Sequence, residues 1–425
     1  MIAFNNYLYI ILLLLLSACS AGSANQTKKA STDSSSYYPP APGHISTNEY
    51  QRLNNEVQAF YDSVLLRHGF NGAILVAKKG DIIFEKYHGF SNLQKHDSIN
   101  EHSPFQLASV SKTFTAMATL KLAEQGKLKL DEDIKTFFPT LPYNGITIKM
   151  LLSHRSGLPN YLYFMQKLGW NVKTFSTNTD VLNYLITYKP PVTHLPGTHF
   201  NYCNTNYTLL GLIIEKVSGT SYSQYLQQTF FTPLQMTDTY VFTMEKDSAR
   251  AMPSYDWRGR LEGYTFLDEG FGDKNIYTTP RDLLKWDQAL YTNQIFTKET
   301  LEAAFTPYSN EKAGIRNYGL GWRMNIYPDG KKVIYHNGWW HGNNTVLIRL
   351  IQDSATIIVL GNKYTRAIYD TKKLANIFEP YNIIDEEDKL DLPMESDSIP
   401  KKATISNLKK HPFRLHHKKK SRKKH

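Results

Sequence analysis

Apolar and polar positions alternate or cluster in ways that divide the chain into recognisable segments. Gly72 to Ala77 and Asp81 to Tyr87 are β-rich runs separated by Lys78-Lys79-Gly80, a pattern that predicts a hairpin. From Ser111 to Gln125 the apolar residues Phe114, Ala116, Met117, Ala118, Leu120, Leu122 and Ala123 go all round a helical wheel before Gly126, so this helix is expected to be buried. Tyr207, Leu210, Ile214 and Val217 recur at amphipathic spacing ahead of Gly219. Thr279-Pro280-Arg281-Asp282 carries the cap, first-turn proline and third-position acid of a helix start, with Leu283, Trp286 and Leu290 on the inner face. Tyr318 to Met324, Lys332 to Tyr335, Thr345 to Leu350 and Thr356 to Leu360 return to β character, and Lys372 to Phe378 is expected to close the domain as a helix. Strands near both ends with helices between them predict an α+β fold, its sheet built from the two chain ends around a helical insertion.

Composition adds little until charge is located. The chain has 425 residues and a formal net charge of +11. Residues 401 to 425 hold 11 Lys+Arg and no acid, which leaves residues 1 to 400 balanced at 38 of each sign. The basic character therefore belongs to a tail, and a nucleic-acid function has no other support. Leu8 to Leu16 is a nine-residue apolar run, too short to span a bilayer, and it ends at Leu16-Ser17-Ala18-Cys19. Those four residues resemble a bacterial lipobox, with Cys19 diacylated as the first mature residue, although no Lys or Arg precedes the apolar run. The expected organisation is a lipoprotein signal peptide at 1–18, a flexible tether rich in Ser, Thr, Ala and Pro at 19–47, a folded domain at 48–380 with its helical insertion at about 136–265, and a basic tail at 381–425. Only Cys203 then remains, so no disulfide is available within the chain.

Ser-x-x-Lys on a helix puts an amine one turn above a hydroxyl, which suits a nucleophile and its base. The spacing occurs five times, at Ser109, Ser309, Ser398, Ser406 and Ser421, but only Ser109-Val110-Ser111-Lys112 opens a long buried helix. The alternative is Ser109 as a cap, with Lys112 reaching to solvent. Tyr-x-Asn occurs four times, and only Tyr202-Cys203-Asn204 follows a Pro-Gly turn and precedes an amphipathic helix. His-x-Gly occurs once, at His336-Asn337-Gly338.

With these motifs in this order, supported by Leu151-Leu152-Ser153-His154-Arg155-Ser156-Gly157-Leu158-Pro159 and Ile276-Tyr277-Thr278-Thr279-Pro280-Arg281-Asp282-Leu283, the chain resembles the class C β-lactamase-like family of serine hydrolases and penicillin-binding proteins over roughly residues 55 to 378. The resemblance implies an antiparallel sheet flanked by helices. It implies Ser109 as the acylated nucleophile, Lys112 as the amine that helps deprotonate it, and Tyr202 as the proton shuttle to the leaving group. Asn204, His336 and Gly338 would meet the substrate, and the backbone N–H groups of Ser109 and Trp339 would form the oxyanion hole.

His336 stands where the lactamase branch often has Lys. A fixed charge for a substrate carboxylate is then missing, which favours esters or D-amino-acid peptides over β-lactams. Cys203 reads as a small buried filler rather than a second nucleophile. Trp339 and Trp340 suit a cleft wall and a core equally. No metal or cofactor is expected, because neither His-Glu-x-x-His nor paired Cys occurs. The function so predicted is acyl transfer on an ester or amide in the bacterial cell envelope, with membrane attachment through Cys19 and substrates of peptidoglycan type. The alternative is a catalytically silent binder of cell-wall peptides on the same fold.

Overall fold

The structure, a computed structural model, describes residues 44–381 with the exception of Asn293. The apolar run, Cys19 and the basic tail beyond 381 lie outside the described residues. The β-rich runs Gly72–Lys78 (β1) and Asp81–His88 (β2) fold as the expected hairpin, with Lys79 and Gly80 in its turn both at positive φ. Arg316–Tyr318 (β3), Arg323–Ile326 (β4), Lys332–Trp340 (β5), Asn343–Leu350 (β6) and Ala355–Gly361 (β7) follow much later in the chain. Together they form one antiparallel sheet in the order β3-β4-β5-β6-β7-β1-β2. The two chain ends meet in mid-sheet, where Gly72 pairs with Gly361.

The central strands β6, β7 and β1 are buried on both faces almost throughout, because both are covered. Helix Thr47–Phe60 (α1), which no sequence pattern singled out, lays Leu53 and Val57 on one face together with Ile368 and Leu374 from the 3-10 segment Arg366–Ile377. That segment replaces the closing helix expected at 372–378. Helices Ser111–Glu124 (α2), Asn178–Tyr188 (α3), Asn204–Ser218 (α4) and Pro280–Ala289 (α5) belong to the other, larger cluster. Helix α2 is buried almost throughout, as its all-round apolar pattern requires. Helix α4 packs against both α2 and α3 and is buried from Thr205 to Ile214, so its expected polar face is absent over that stretch. Helix α5 starts as predicted, with the Thr279 hydroxyl accepting from Asp282 N–H at 3.3 Å.

One expectation fails locally. The run Tyr318 to Met324 is not one strand. It turns between β3 and β4, where Leu320 and Trp322 are fully buried. Buried side chains in a turn mimic the alternation of a strand, and the error matters because this turn places Tyr318 and Arg323 beside the site.

Candidate active site

Ser109 sits in a single 3-10 turn, Ala108–Val110, that runs directly into α2. Ala108 takes a left-handed backbone at φ 48°, a conformation that costs a non-glycine residue roughly 1–3 kcal/mol and is kept only where its surroundings enforce it. Two neighbours enforce it here. Leu107 N–H donates to Ile276 O at 2.8 Å, and the Thr345 hydroxyl donates to Leu107 O at 2.7 Å. Strand β5 also presses close: a Cβ on Gly338 would lie 2.3 Å from Leu107 O and 2.2 Å from Thr345 Oγ1. Gly338, expected among the substrate-binding residues, thus acts by lacking a side chain and lets the strand carry Trp339 to the nucleophile turn. Strand β4 has its last partner at Tyr335, so from His336 onward β5 pairs only with β6.

Lys112 is fully buried, and its Nζ donates to Ser109 Oγ at 3.0 Å and to Asp273 O at 2.8 Å. This excludes the reading of Lys112 as a side chain reaching to solvent. The amine also lies over the rings of Tyr202 at 5.1 Å and Tyr207 at 5.7 Å. Ser109, Tyr202 and Asn204 are partly exposed, and Asn204 is the first residue of α4. The Ser-x-x-Lys and Tyr-x-Asn motifs, far apart in sequence, are therefore brought to one place, with a partly exposed serine, a buried amine and a tyrosine ring beside that amine.

His336 departs from expectation. Its ring is fully buried, with Nδ1 2.8 Å from Asn337 O and Nε2 3.3 Å from the Tyr318 hydroxyl. A carbonyl only accepts, so Nδ1 donates to Asn337 O, while Nε2 and the Tyr318 hydroxyl bond each other. The imidazole supports Tyr318 instead of lining a substrate surface, since both of its nitrogens are engaged by the protein. A fixed cation stands near Tyr202 at the start of β4: the Arg323 guanidinium lies 5.1 Å over the Tyr202 ring and is partly exposed. An arginine stays charged at any working pH and offers a planar fork that matches a carboxylate.

His154 is a second residue whose role the sequence did not disclose. It takes a left-handed backbone at φ 56°, is fully buried, and its ring lies 4.3 Å from that of Tyr202 and 5.0 Å from that of Tyr207. Nδ1 accepts from Cys203 N–H at 3.1 Å, which tethers the start of α4. Burial first, then the positive charges of Lys112, His336 and Arg323, hold its pKa well below the ordinary value, so it is neutral in the fold. Cys203 is the buried filler expected. Burial pushes its thiol up to about 11, and the thiol donates to Leu158 O at 3.3 Å. Of the two tryptophans, Trp340 belongs to the core and donates its indole N–H to Asp268, whereas Trp339 is partly exposed. Among the described residues no group of three His, Cys, Asp or Glu side chains is placed to hold a metal ion. What the arrangement offers chemically is a hydroxyl whose proton has an amine to go to, next to a phenol and a fixed cation.

Comparison with known proteins gives this geometry a context. The family model described as "Beta-lactamase" matches residues 54–379. Penicillin-binding protein 4* of Bacillus subtilis (strain 168) is 30% identical over 353 residues, covering 78% of each chain. Among solved structures, a penicillin-binding protein from Bacillus halodurans superposes with a TM-score of 0.66 at 25% identity, covering 74% of this chain and 98% of that one. The D-amino acid amidase from Ochrobactrum anthropi SV3 shares the fold with a TM-score of 0.62 at 23% identity, covering 77% of this chain and 97% of its own.

Proposed function

The chain belongs to the β-lactamase family of serine hydrolases, and from that premise we propose that it cleaves carboxylate-bearing D-amino-acid peptides, or the amides, esters and β-lactams that mimic them, through a covalent acyl-enzyme at Ser109. The observation that carries this reading is the 3.0 Å hydrogen bond from the buried Lys112 amine to the accessible Ser109 hydroxyl, with the Arg323 cation across the Tyr202 ring. Lys112 takes the Ser109 proton as Oγ bonds to the substrate carbonyl carbon. The oxyanion that forms is held by the N–H groups of Ser109 and Trp339. Tyr202 passes a proton to the leaving nitrogen or oxygen as its bond to carbon breaks. Water then attacks the acyl carbon, gives up a proton through the same groups and releases the acid, which restores Ser109. A D-Ala-D-Ala peptide and a penicillin both carry a carboxylate close to the scissile amide, and Arg323 is the group that would hold it. The name of the Bacillus subtilis relative is in keeping with such a substrate.

The test is intact mass after incubation with benzylpenicillin, a D-Ala-D-Ala peptide, its L,L counterpart and a neutral nitrophenyl ester. The parent is expected to gain an acyl mass or release acid with the D-peptide or penicillin, Ser109→Ala to gain none, and Arg323→Met to lose the carboxylate substrates while keeping the ester. Acylation of Ser109→Ala would overturn the reading. For location, we propose attachment to the cell envelope through diacylated Cys19, supported by the Leu-Ser-Ala-Cys run. Cys19→Ser should then move the protein from the membrane to the soluble fraction, and its retention in the membrane fraction would sink that proposal. No helix among the described residues is long and apolar enough to cross a membrane.

A further inference from the structure

The loop that follows Gly270 is stitched to the first turn and a half of α2 by three hydrogen bonds. Ile276 N–H donates to Ser111 Oγ at 3.1 Å, Lys112 Nζ to Asp273 O at 2.8 Å, and Thr115 Oγ1 to Gly272 O at 2.6 Å. Gly272 is needed for this fit, since a Cβ there would lie 2.3 Å from Tyr207 O. The loop therefore delivers the side chain of Asp273 into the protein beside the nucleophile's helix, and that carboxylate is 2% exposed. Tyr161 donates to its Oδ2 at 2.9 Å, while its Oδ1 has no hydrogen-bond partner among the described residues. A buried carboxylate so sparsely bonded acts more strongly on a nearby cation than one in water would.

Lys274, the next residue, is buried as well. Its ammonium lies 3.3 Å from Asp273 Oδ2, bonds the Tyr161 hydroxyl, and stacks over the rings of Trp340 at 4.6 Å and Tyr161 at 5.0 Å. The remaining charges around Lys274 are Asp268, itself paired with His341, and Lys112. Around Lys112 stand Ser109, Asp273, Tyr202, Tyr207, His154, Cys203 and Lys274, with His336 and Arg323 acting in turn on His154. Asp273 thus bonds Lys112 through its backbone carbonyl, and Lys274 is the cation set against its carboxylate.

We propose that Lys274 is a positioning residue for the hydrolysis: its ammonium balances the buried Asp273 carboxylate, so that Lys112 is not locked as an ammonium and can take the Ser109 proton. The inference rests on the functional reading above. Without Lys274, an uncompensated anion stabilises protonated Lys112, and the neutral base is available only at higher pH. Without Asp273, two buried amines repel each other, and Lys112 loses its proton more easily. Removing both deletes a neutral pair and leaves Lys112 close to its starting state. The three variants therefore move the same quantity up, down and back, which a merely structural role does not do.

The experiment is the pH profile of kcat/KM for a neutral nitrophenyl ester, together with direct titration of Lys112 by NMR of 13Cε-labelled lysine, assigned with Lys112→Met. Lys274→Met is expected to move the acid limb and the Lys112 midpoint upward by about one pH unit, and Asp273→Asn downward by a similar amount. The double variant Asp273→Asn/Lys274→Met should return close to the parent and also serves as the folded control if either single variant melts early. Shifts in the same direction for both single variants, an unmoved Lys112 midpoint in folded Lys274→Met, or a double variant whose midpoint stays well away from the parent's, would overturn the proposal. The titration separates the two readings: a moved midpoint with no ester turnover at Ser109 would defeat the hydrolase assignment while leaving the effect of Asp273 and Lys274 on the Lys112 charge in place.

Discussion

The two faces of the seven-stranded sheet are made from the same strands yet hold different chemistry. On the face covered by α1 and the C-terminal 3-10 segment lie Ile74, Val76, Val333, Val346, Ile348, Leu350, Ile357 and Val359. On the other, alternate residues of the same strands include Ala73, Leu75, Leu347 and Ile358, but among them stand His336, Thr345, Arg349 and Thr356, all buried. Arg349 and Thr356 both bond Asp287 of α5, and Thr345 holds the nucleophile turn. Burying polar groups is costly unless each finds a partner, so the second face accepts that cost where helices can be pinned and a reacting group aimed. The first face needs only to exclude water.

Substitutions should separate the faces. Ser109→Ala and Lys112→Met are each expected to lower kcat/KM for any acylating substrate by on the order of 10⁴-fold, with little further loss when combined. Ser109→Ala removes no core volume and should leave the melting temperature unchanged, as calorimetry would check. Leu350→Ala on the apolar face should do the reverse, costing about 2–5 kcal/mol in urea unfolding while the folded fraction keeps its kcat/KM. Gly338→Ala sits between them, because its Cβ must push on Leu107 O and Thr345 Oγ1. A displacement near 1 Å of the nucleophile turn predicts a loss of roughly 100-fold in kcat, measured against urea stability to see which suffers more.

The smallest effect compares two histidines with opposite shifts. His154 is neutral in the fold because burial and nearby cations depress its pKa below 6.5, so below that pH the unfolded chain binds a proton that the native protein does not. Its presence should make stability fall with decreasing pH by about 1.4 kcal/mol per unit, from pH 6.5 down to its native pKa. Although burial opposes it, the Asp268 carboxylate raises the pKa of His341, whose contribution is full below 6.5 and is lost as pH rises through the raised value. Both residues take positive φ, which asparagine tolerates better than most side chains. Urea unfolding from pH 5 to 8.5 should show that His154→Asn flattens the acid slope and His341→Asn the alkaline one.

How much of this the chain disclosed follows from how local each signal was. The β1–β2 hairpin, the buried α2 and the start of α5 are written in contiguous residues, and the Ser109, Tyr202 and His336 motifs are short enough to read directly. Arg323 was hidden because Leu320 and Trp322 are buried in a turn that imitates a strand. His154 lay in a stretch used only to support the resemblance, and nothing nearby in sequence says that its ring ends against Tyr202. Asp273 and Lys274 look like an ordinary solvated pair between Gly272 and Asn275. Their burial depends on Tyr161, Trp340 and α2, which are more than a hundred, some sixty and about 160 residues away. For His336 the residue type was legible but its direction was not, since the Tyr318 hydroxyl that engages it arrives from another strand.

The pairing of Gly72 with Gly361 sets a clock on biosynthesis. Strand β1 leaves the ribosome early, and its partner β7 follows roughly 290 residues later, an interval of about 15–60 s at 5–20 residues per second. Throughout that time the β1–β2 hairpin has an unpaired apolar edge, the kind of template that invites association with other chains. Contacts so distant in sequence also make closure slow once the whole chain is free. Yield should therefore depend on what shields Gly72–Lys78 during synthesis, and charged substitutions on that edge would trade final stability for safe passage to it.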